Sequence, residues 1–403
     1  MARALGPAWS LEADRIVLSP ATFDPVVTAV TLLVGGPESK AVIGALTDVG
    51  FAFEPPRPVT TTVLDTFDGR MHHAGLRLEL RETAGLELVL SGEATVPAHL
   101  TVNSAPRMPG DLPPGPFRSR LAALVDLRAL APQLRVSVQR TSGVWRDSTG
   151  KIVATAELND GIRVVDHPDI DHPDIDCPAT TIEIHEIAGY SKQARRAVTA
   201  LEGIGLATCE TDTLSQCAAA AGVDFAGVTT TATVPLDPQM PALDGYRAVL
   251  ANLARTIRVN WQGTIDQSDT EFLHDLRIAV RRTRTVLGEA KGVLPGDVRD
   301  DARSGFGWLA GLTGPARDLD AFLLEWSRYT DAPGAALAPA LAPVRDLLER
   351  RRAAAHIELE RGLRSLRAAQ LTSDWAADTH AHMLMFADML SDGLVRQFPT
   401  KFS

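Results

Sequence analysis

Four basic side chains between Phe272 and Arg284 have the types and spacing to act on one ligand: His274, Arg277, Arg281 and Arg284. At about 100° per residue, Arg281, Arg277 and Arg284 lie roughly 20°, 60° and 80° to one side of His274 on a helix. Leu276, Val280 and Leu287 fall on the opposite side, where they can face a core. Guanidinium groups stacked beside an imidazole repel one another unless an anion sits among them. Their planar, permanently charged donors grip phosphate oxygens in pairs. The pattern is that of a polyanion site, weakened by salt, and His274 would make its affinity pH-dependent. Arg282 lies off the stripe and reads as a solvated side chain.

The charge balance limits the anion. The chain of 403 residues has a net charge of -10, yet residues 241–403 hold 21 basic and 21 acidic side chains. The net negative charge therefore lies before residue 241, and neither part is the net-basic domain that coats bulk nucleic acid. A local basic pocket remains allowed. No run of about 18 apolar residues predicts a membrane span, and the start lacks the apolar core of a signal peptide. Three cysteines, Cys177, Cys209 and Cys217, have no metal-type spacing and predict a reducing cytoplasm without a disulfide framework. Arginine-rich, lysine-poor usage points to a bacterial source of high GC content.

Two kinds of periodicity divide the chain. Leu76, Leu78 and Leu80 alternate with Arg77, Glu79 and Arg81, and Ile182 and Ile184 with Thr181, Glu183 and His185. Leu134, Val136 and Val138 alternate likewise, so the first part is strand-rich. Lys192–Leu206 reads as a helix, and the Pro- and Gly-rich residues 97–118 as a loop. Beyond Pro235, Pro238 and Pro241, an apolar seam of Leu243, Tyr246, Leu250, Leu253, Ile257 and Trp261 has helical spacing. Ser268–Glu271 reads as a capping box starting the basic helix. Gly314-Pro315 reads as a helix boundary, and Pro343 as the start of a helix running to about Ala368. The expected organisation is α+β: a tail at 1–21, a strand-rich domain at 22–207, a linker at 208–240 and an all-α bundle at 241–403.

The helical motifs resemble the CHAD family, the conserved-histidine α-helical domains. His274-Asp-Leu-Arg277-Ile-Ala-Val-Arg281-Arg282-Thr-Arg284, Gly314-Pro-Ala-Arg317-Asp318-Leu-Asp320 and Arg352-Ala-Ala-Ala355-His356 carry the likeness, over roughly residues 240–370. It implies a central basic channel that binds inorganic polyphosphate, cytoplasmic and at polyphosphate granules. It carries His274, Arg277, Arg281, Arg284, Arg317 and Arg352 over as anion contacts. Arg317-Asp318 reads equally as a local ion pair or cap interaction, and His356 as a packed or surface histidine. Family domains hold two similar four-helix halves. Here Asp378–Phe386 offers His380 and His382 but no basic stripe, so the second half reads as incomplete and the tail to Ser403 as unlike the family. A homodimer is one way to rebuild the twofold channel.

The first domain is similar to the CYTH family of triphosphate tunnel metalloenzymes, antiparallel barrels with a charged lumen. The likeness rests on Leu64–Asp68, Gly75–Arg81, Arg140-Thr141, Gly150–Asp160 and Ile182–Ile184. Active members hold divalent metal on strand carboxylates and triphosphate on Arg and Lys. Their first strand carries Glu-x-Glu-x-Lys; the matching stretch here, Thr28–Leu32, has neither carboxylate nor lysine, and Ser91 stands where a later lysine is expected. Arg77, Arg81 and Arg140 are the residual anion contacts the resemblance implies, although alternation alone also allows a solvent-facing side for Arg77 and Arg81. Glu157, Asp160 and Glu183 are the remaining candidates to hold a metal ion. The duplicated Asp166–Ile170 and Asp171–Ile175 reads either as a His/Asp metal tract or as a solvated loop.

Three functional readings follow. The leading one is polyphosphate binding on the helical stripe with no catalysis and no cofactor. The second is a Mg²⁺-dependent triphosphatase in the first domain, which alone would require the metal. The third is a degenerate protein-interaction module.

Overall fold

The computed structural model describes residues 29–34, 38–92, 95–165, 175–177, 180–187, 189–228, 234–330 and 338–372. In chain order the elements begin with β1 (Ala29–Val34), α1 (Ser39–Val49), β2 (Phe51–Phe53), β3 (Arg57–Thr66), α2 (Arg70–His73), β4 (Leu76–Glu82), β5 (Leu86–Gly92) and β6 (Thr95–Val102). They continue with α3 (Pro116–Val125), β7 (Leu130–Arg146), β8 (Ile152–Val164), β9 (Ile175–Asp176), β10 (Thr180–Glu186), α4 (Ser191–Glu202), β11 (Ala207–Cys209) and α5 (Thr213–Ala221). The last are α6 (Ala242–Ile265), α7 (Thr270–Glu289), α8 (Gly296–Leu324), α9 (Ser327–Thr330) and α10 (Ala338–Leu363). The chain divides into two compact units: 1–64, 75–105 and 132–224, and 65–74, 106–131 and 225–403.

The first unit is built on one sheet with the order β11-β1-β10-β8-β7-β3-β4-β5-β6, to which β2 and β9 add at β7 and β8. The end strands β11 and β6 do not pair among the described residues. The expected barrel is therefore an open, tunnel-like antiparallel sheet, because closure needs the first and last strands in register. One sheet face carries Leu32, Ala156, Leu158, Ile182 and Ile184, which pack against Val42 and Leu46 of α1 and Ala194, Ala197 and Leu201 of α4. The linker expected from 208 starts later. Residues 207–209 pair with β1, and Asp212 caps α5 by accepting from the Ser215 amide. The alanine-rich stretch behind that cap is a helix that buries Cys217 and Ala218.

The second unit is a helical bundle whose core joins Leu250, Leu253 and Ile257 of α6, Leu273, Leu276, Val280 and Leu287 of α7, Phe306 and Leu309 of α8, and Leu359 and Leu363 of α10. Helices α6 and α7 meet at Gly263, where a Cβ would lie 2.4 Å from the Phe272 ring. Two expected boundaries differ. The cap of α7 is Asp269, not Ser268; its carboxylate accepts from the Glu271 and Phe272 amides. And α8 runs straight through Pro315. Proline costs a helix interior about 3 kcal/mol, but Leu309, Thr313, Ala316 and Asp320 form one buried face across it. That tertiary packing outweighs the local preference. Pro343 likewise lies inside α10.

Arg128 organises the segments before α6 around the start of α7. Its side chain is 2% exposed, and it pairs with Asp269 at 3.4 Å, Asp275 at 2.5 Å and Asp68 at 3.6 Å. The guanidinium also lies over Phe67 and Phe272, 5.9 and 5.0 Å from their centroids, and the Ala129 amide donates to Asp269. Arg128→Met would remove the cation that meets buried Asp269 and half-buried Asp275 at the helix start. It is expected to cost about 3–5 kcal/mol, read by urea denaturation of the full chain; a loss below about 1 kcal/mol would mean the cluster does not anchor these segments.

Candidate functional site

The helical stripe is graded along α7. Phe272, Leu273, Leu276, Ala279, Val280, Thr283 and Leu287 are buried, leaving His274 and Arg277 half-buried and Arg281 and Arg284 exposed. Arg277 turns inward: its Nη1 donates to the Ala310 carbonyl and the Thr313 hydroxyl of α8, both at 3.2 Å. It therefore serves the α7–α8 contact. Arg317 is half-buried, and its Nη1 is buried without a hydrogen-bond partner. Among the described residues no carboxylate pairs with Arg281, Arg284 or Arg317, and the ion pair expected between Arg317 and Asp318 is not formed. The other cation off the stripe, Arg282, is exposed as expected.

Arg352 has a different situation. Its Nε donates to Asp320 at 2.5 Å, and the His356 Nε2 lies 3.0 Å from the same oxygen. The Asp320 side chain is fully buried, so the charge of Arg352 is committed to it. Of the two readings of His356, packed or surface, the structure shows the packed one, with a carboxylate partner that spacing did not reveal. Burial pushes the Asp320 carboxyl up, but His356 and Arg352 outweigh it and hold it below the usual range.

The first unit has a charged face opposite its apolar one. Register places Thr31 and Glu157 on either side of Glu183, and Thr181 opposite Asn159. Val30 and Leu32 point to the apolar face instead. The Thr28–Leu32 alignment is thus one residue out of phase, because a single step flips every side chain across a sheet. Neither phase holds a carboxylate or lysine. Arg77, Arg81 and Arg140 do face the charged side. Each is already paired: Arg77 with Asp212 at 2.5 Å, Arg81 with Glu79 at 2.8 Å and Arg140 with Glu157 at 2.9 Å. Ser91 lies opposite Arg77. Burial pushes Glu157 up, but Arg140, His185, Arg81 and Arg57 together hold its carboxyl below the usual value.

The candidate metal set is rearranged. Asp160 belongs to the other face, where it accepts from the Ser39 and Thr180 hydroxyls. Its place is taken by His185, whose ligand atom lies within 4.8 Å of those of Glu157 and Glu183. Alternation with Glu183 was the sequence signal for His185. Glu183 also accepts from the Thr213 hydroxyl at 2.6 Å. The duplicated Asp-His-Pro-Asp-Ile tract falls largely outside the described residues, as do His380 and His382.

Residues 248–398 match the family model of the CHAD domain. All six residues carried over as anion contacts fall within that span. The CHAD match runs beyond residue 370 to 398, so most of the tail set apart as unlike the family lies inside it. Among solved structures, the CHAD domain from the plant Ricinus communis is 27% identical, with a TM-score of 0.31 over 37% of this chain, which spans 50% of it. A Bacillus halodurans protein proposed as an adenylate cyclase is 11% identical, with a TM-score of 0.34 over 48% of this chain and 96% of its own. A Hippeastrum protein proposed as an adenylyl cyclase, with a dominant triphosphatase activity, is 12% identical, with a TM-score of 0.33 over 48% of this chain and 96% of its own. Among curated proteins, none matches the chain.

The Asp320 cluster in the CHAD region has a pH signature. Because its folded value lies below the unfolded 3.8, its stabilisation is complete above that pH and is lost as pH falls through the folded value. Asp320→Asn is expected to cost roughly 2 kcal/mol at pH 7. The gap to the parent protein should close as pH drops below about 3.8. Denaturation midpoints from pH 7 to 2.5 measure this, and a gap constant with pH would contradict the pairing.

Proposed function

We propose that the chain binds inorganic polyphosphate, or a polyanion like it, on the CHAD region without turning it over and without a cofactor. The observation that carries this reading is that, among the described residues, Arg281, Arg284 and Arg317 have no carboxylate partner, on the helix pair that also holds His274. Cations left unpaired on a folded surface retain their attraction for an external anion, and exposed Arg281 and Arg284 sit one turn apart. Arg277 supports the site from beneath, and Arg352 acts through Asp320. A cytoplasmic setting, including polyphosphate granules, belongs to the same proposal, as does pairing of two chains to extend the basic surface. No described helix is long and apolar enough to cross a membrane.

The first unit is proposed as a scaffold or weak auxiliary anion site. A triphosphatase needs cations free to hold the phosphates and carboxylates free to hold metal. Here Arg77, Arg81 and Arg140 each meet an acid, and β1 supplies no ligand. Glu157, Glu183 and His185 are the residues that would hold a metal ion on this face. If one binds, its contribution would be to draw electron density from a phosphoryl oxygen.

Titration of the full chain with long-chain polyphosphate, repeated across salt concentrations, tests the proposal. Arg281→Ala with Arg284→Ala is expected to weaken binding at least about tenfold at low salt and to reduce the slope of log K against log salt by about 1.4, two contacts' worth. Equal affinity of the double variant and the parent would reject the stripe. Magnesium-dependent release of phosphate from tripolyphosphate by the full chain would replace the non-catalytic reading with the triphosphatase one.

A further inference from the structure

Two of the three cysteines face each other across the first unit. The Cys177 and Cys217 sulfurs are 3.3 Å apart, although 40 residues separate them in sequence. Both are presented from fixed backbone. The Cys177 amide donates to the Ile162 carbonyl of β8. Cys217 lies on α5, whose first turn is held at Asp212 by Arg77 and at Thr213 by Glu183. A disulfide needs an approach of about 1.3 Å from this separation. Cys209 is placed elsewhere, its sulfur against the Thr211 hydroxyl and the Gln216 amide.

We propose that Cys177 and Cys217 form a reversible thiol–disulfide pair, a modification site for low-molecular-weight disulfides that staples α5 to the end of β9. Cys177 is half-buried and Cys217 is buried, so Cys177 meets the reagent first. Its thiolate attacks one sulfur of the small disulfide; that S–S bond breaks, and one small thiolate leaves. Cys217 then gives up its proton, attacks the Cys177 sulfur, and displaces the second small thiolate. Two protein thiols are oxidised to one disulfide, and the reagent is reduced to two thiols. Burial pushes the Cys217 thiol up, reinforced by Cys177 beside it. The second step is therefore slow, and the bond once formed is shielded from reductant. The staple fixes the helix that neutralises Arg77 and holds Glu183, so oxidation sets how firmly the charged sheet face stays closed on itself.

The full chain incubated with oxidised glutathione, followed by intact-mass measurement, thiol counting and non-reducing peptide mapping, tests this. The expected result is a Cys177–Cys217 crosslink, one remaining thiol at Cys209, and a thermal midpoint raised by on the order of 5–10 °C and reversed by reductant. Cys217→Ser should stop at a stable mixed disulfide on Cys177, while Cys209→Ser should crosslink as the parent does. Three persisting thiols, a bond through Cys209, or a parent protein that halts at the Cys177 adduct would each overturn the proposal.

Discussion

Buried charge in the helical unit is tolerated where opposite charges answer it, and the presentation of the basic helix depends on one such place, at Arg128. Arg128 sits between two aromatic rings and meets three carboxylates, one of which, Asp269, is itself the cap of α7. The aromatic faces supply attraction that water would otherwise give, and the carboxylates cancel the charge. The cap in turn fixes where α7 begins. Because successive residues advance by a fixed angle, fixing its first turn fixes which way Arg281 and Arg284 point two to three turns later.

The two units dispose of their arginines in opposite ways. On the sheet, the face that would hold an anion has closed its own circuits: Arg77 with Asp212, Arg81 with Glu79, Arg140 with Glu157. A phosphate entering there would have to break an ion pair for each contact it gained, with little net benefit. On α7 and α8, Arg281, Arg284 and Arg317 meet no carboxylate among the described residues, so an anion arriving there would gain their attraction without displacing an acidic partner. The difference is one of competition rather than of charge count, because both units contain arginine and acid in plenty. Arg352, which lies in the CHAD match, resembles the arginines of the sheet in this respect, because it already pairs with buried Asp320.

Much of this was legible along the chain wherever one element's own periodicity decides the outcome. The two-residue alternation of Leu76–Arg81 and Thr181–His185 became β4 and β10, and the seam from Leu250 to Trp261 became the inner face of α6. Features decided by partners distant in sequence were not legible. Whether Pro315 ends a helix depends on what Leu309 and Ala316 pack against. The phase of β1 depends on its register with β10, and a six-residue strand of Ala, Val, Thr and Leu holds no polar contrast from which to read it. Asp160 was a candidate ligand together with Glu157, but three residues is an odd step on a strand and puts the two on opposite faces. Arg128 gave no signal, since its partners lie 60 residues before it and about 140 after.

The sheet's charged face is neutralised from within, by acids and bases of the same unit. Cations and anions left buried there without partners would cost several kcal/mol each. Such a face can survive only if the remaining charges are drawn into pairs with one another. The α5 segment does this at two points, with Asp212 on Arg77 and Thr213 on Glu183. Its cap aspartate thus has two tasks, starting a helix and discharging an arginine. A stretch that reads as linker in sequence is therefore held in place by the charges it removes from solvent.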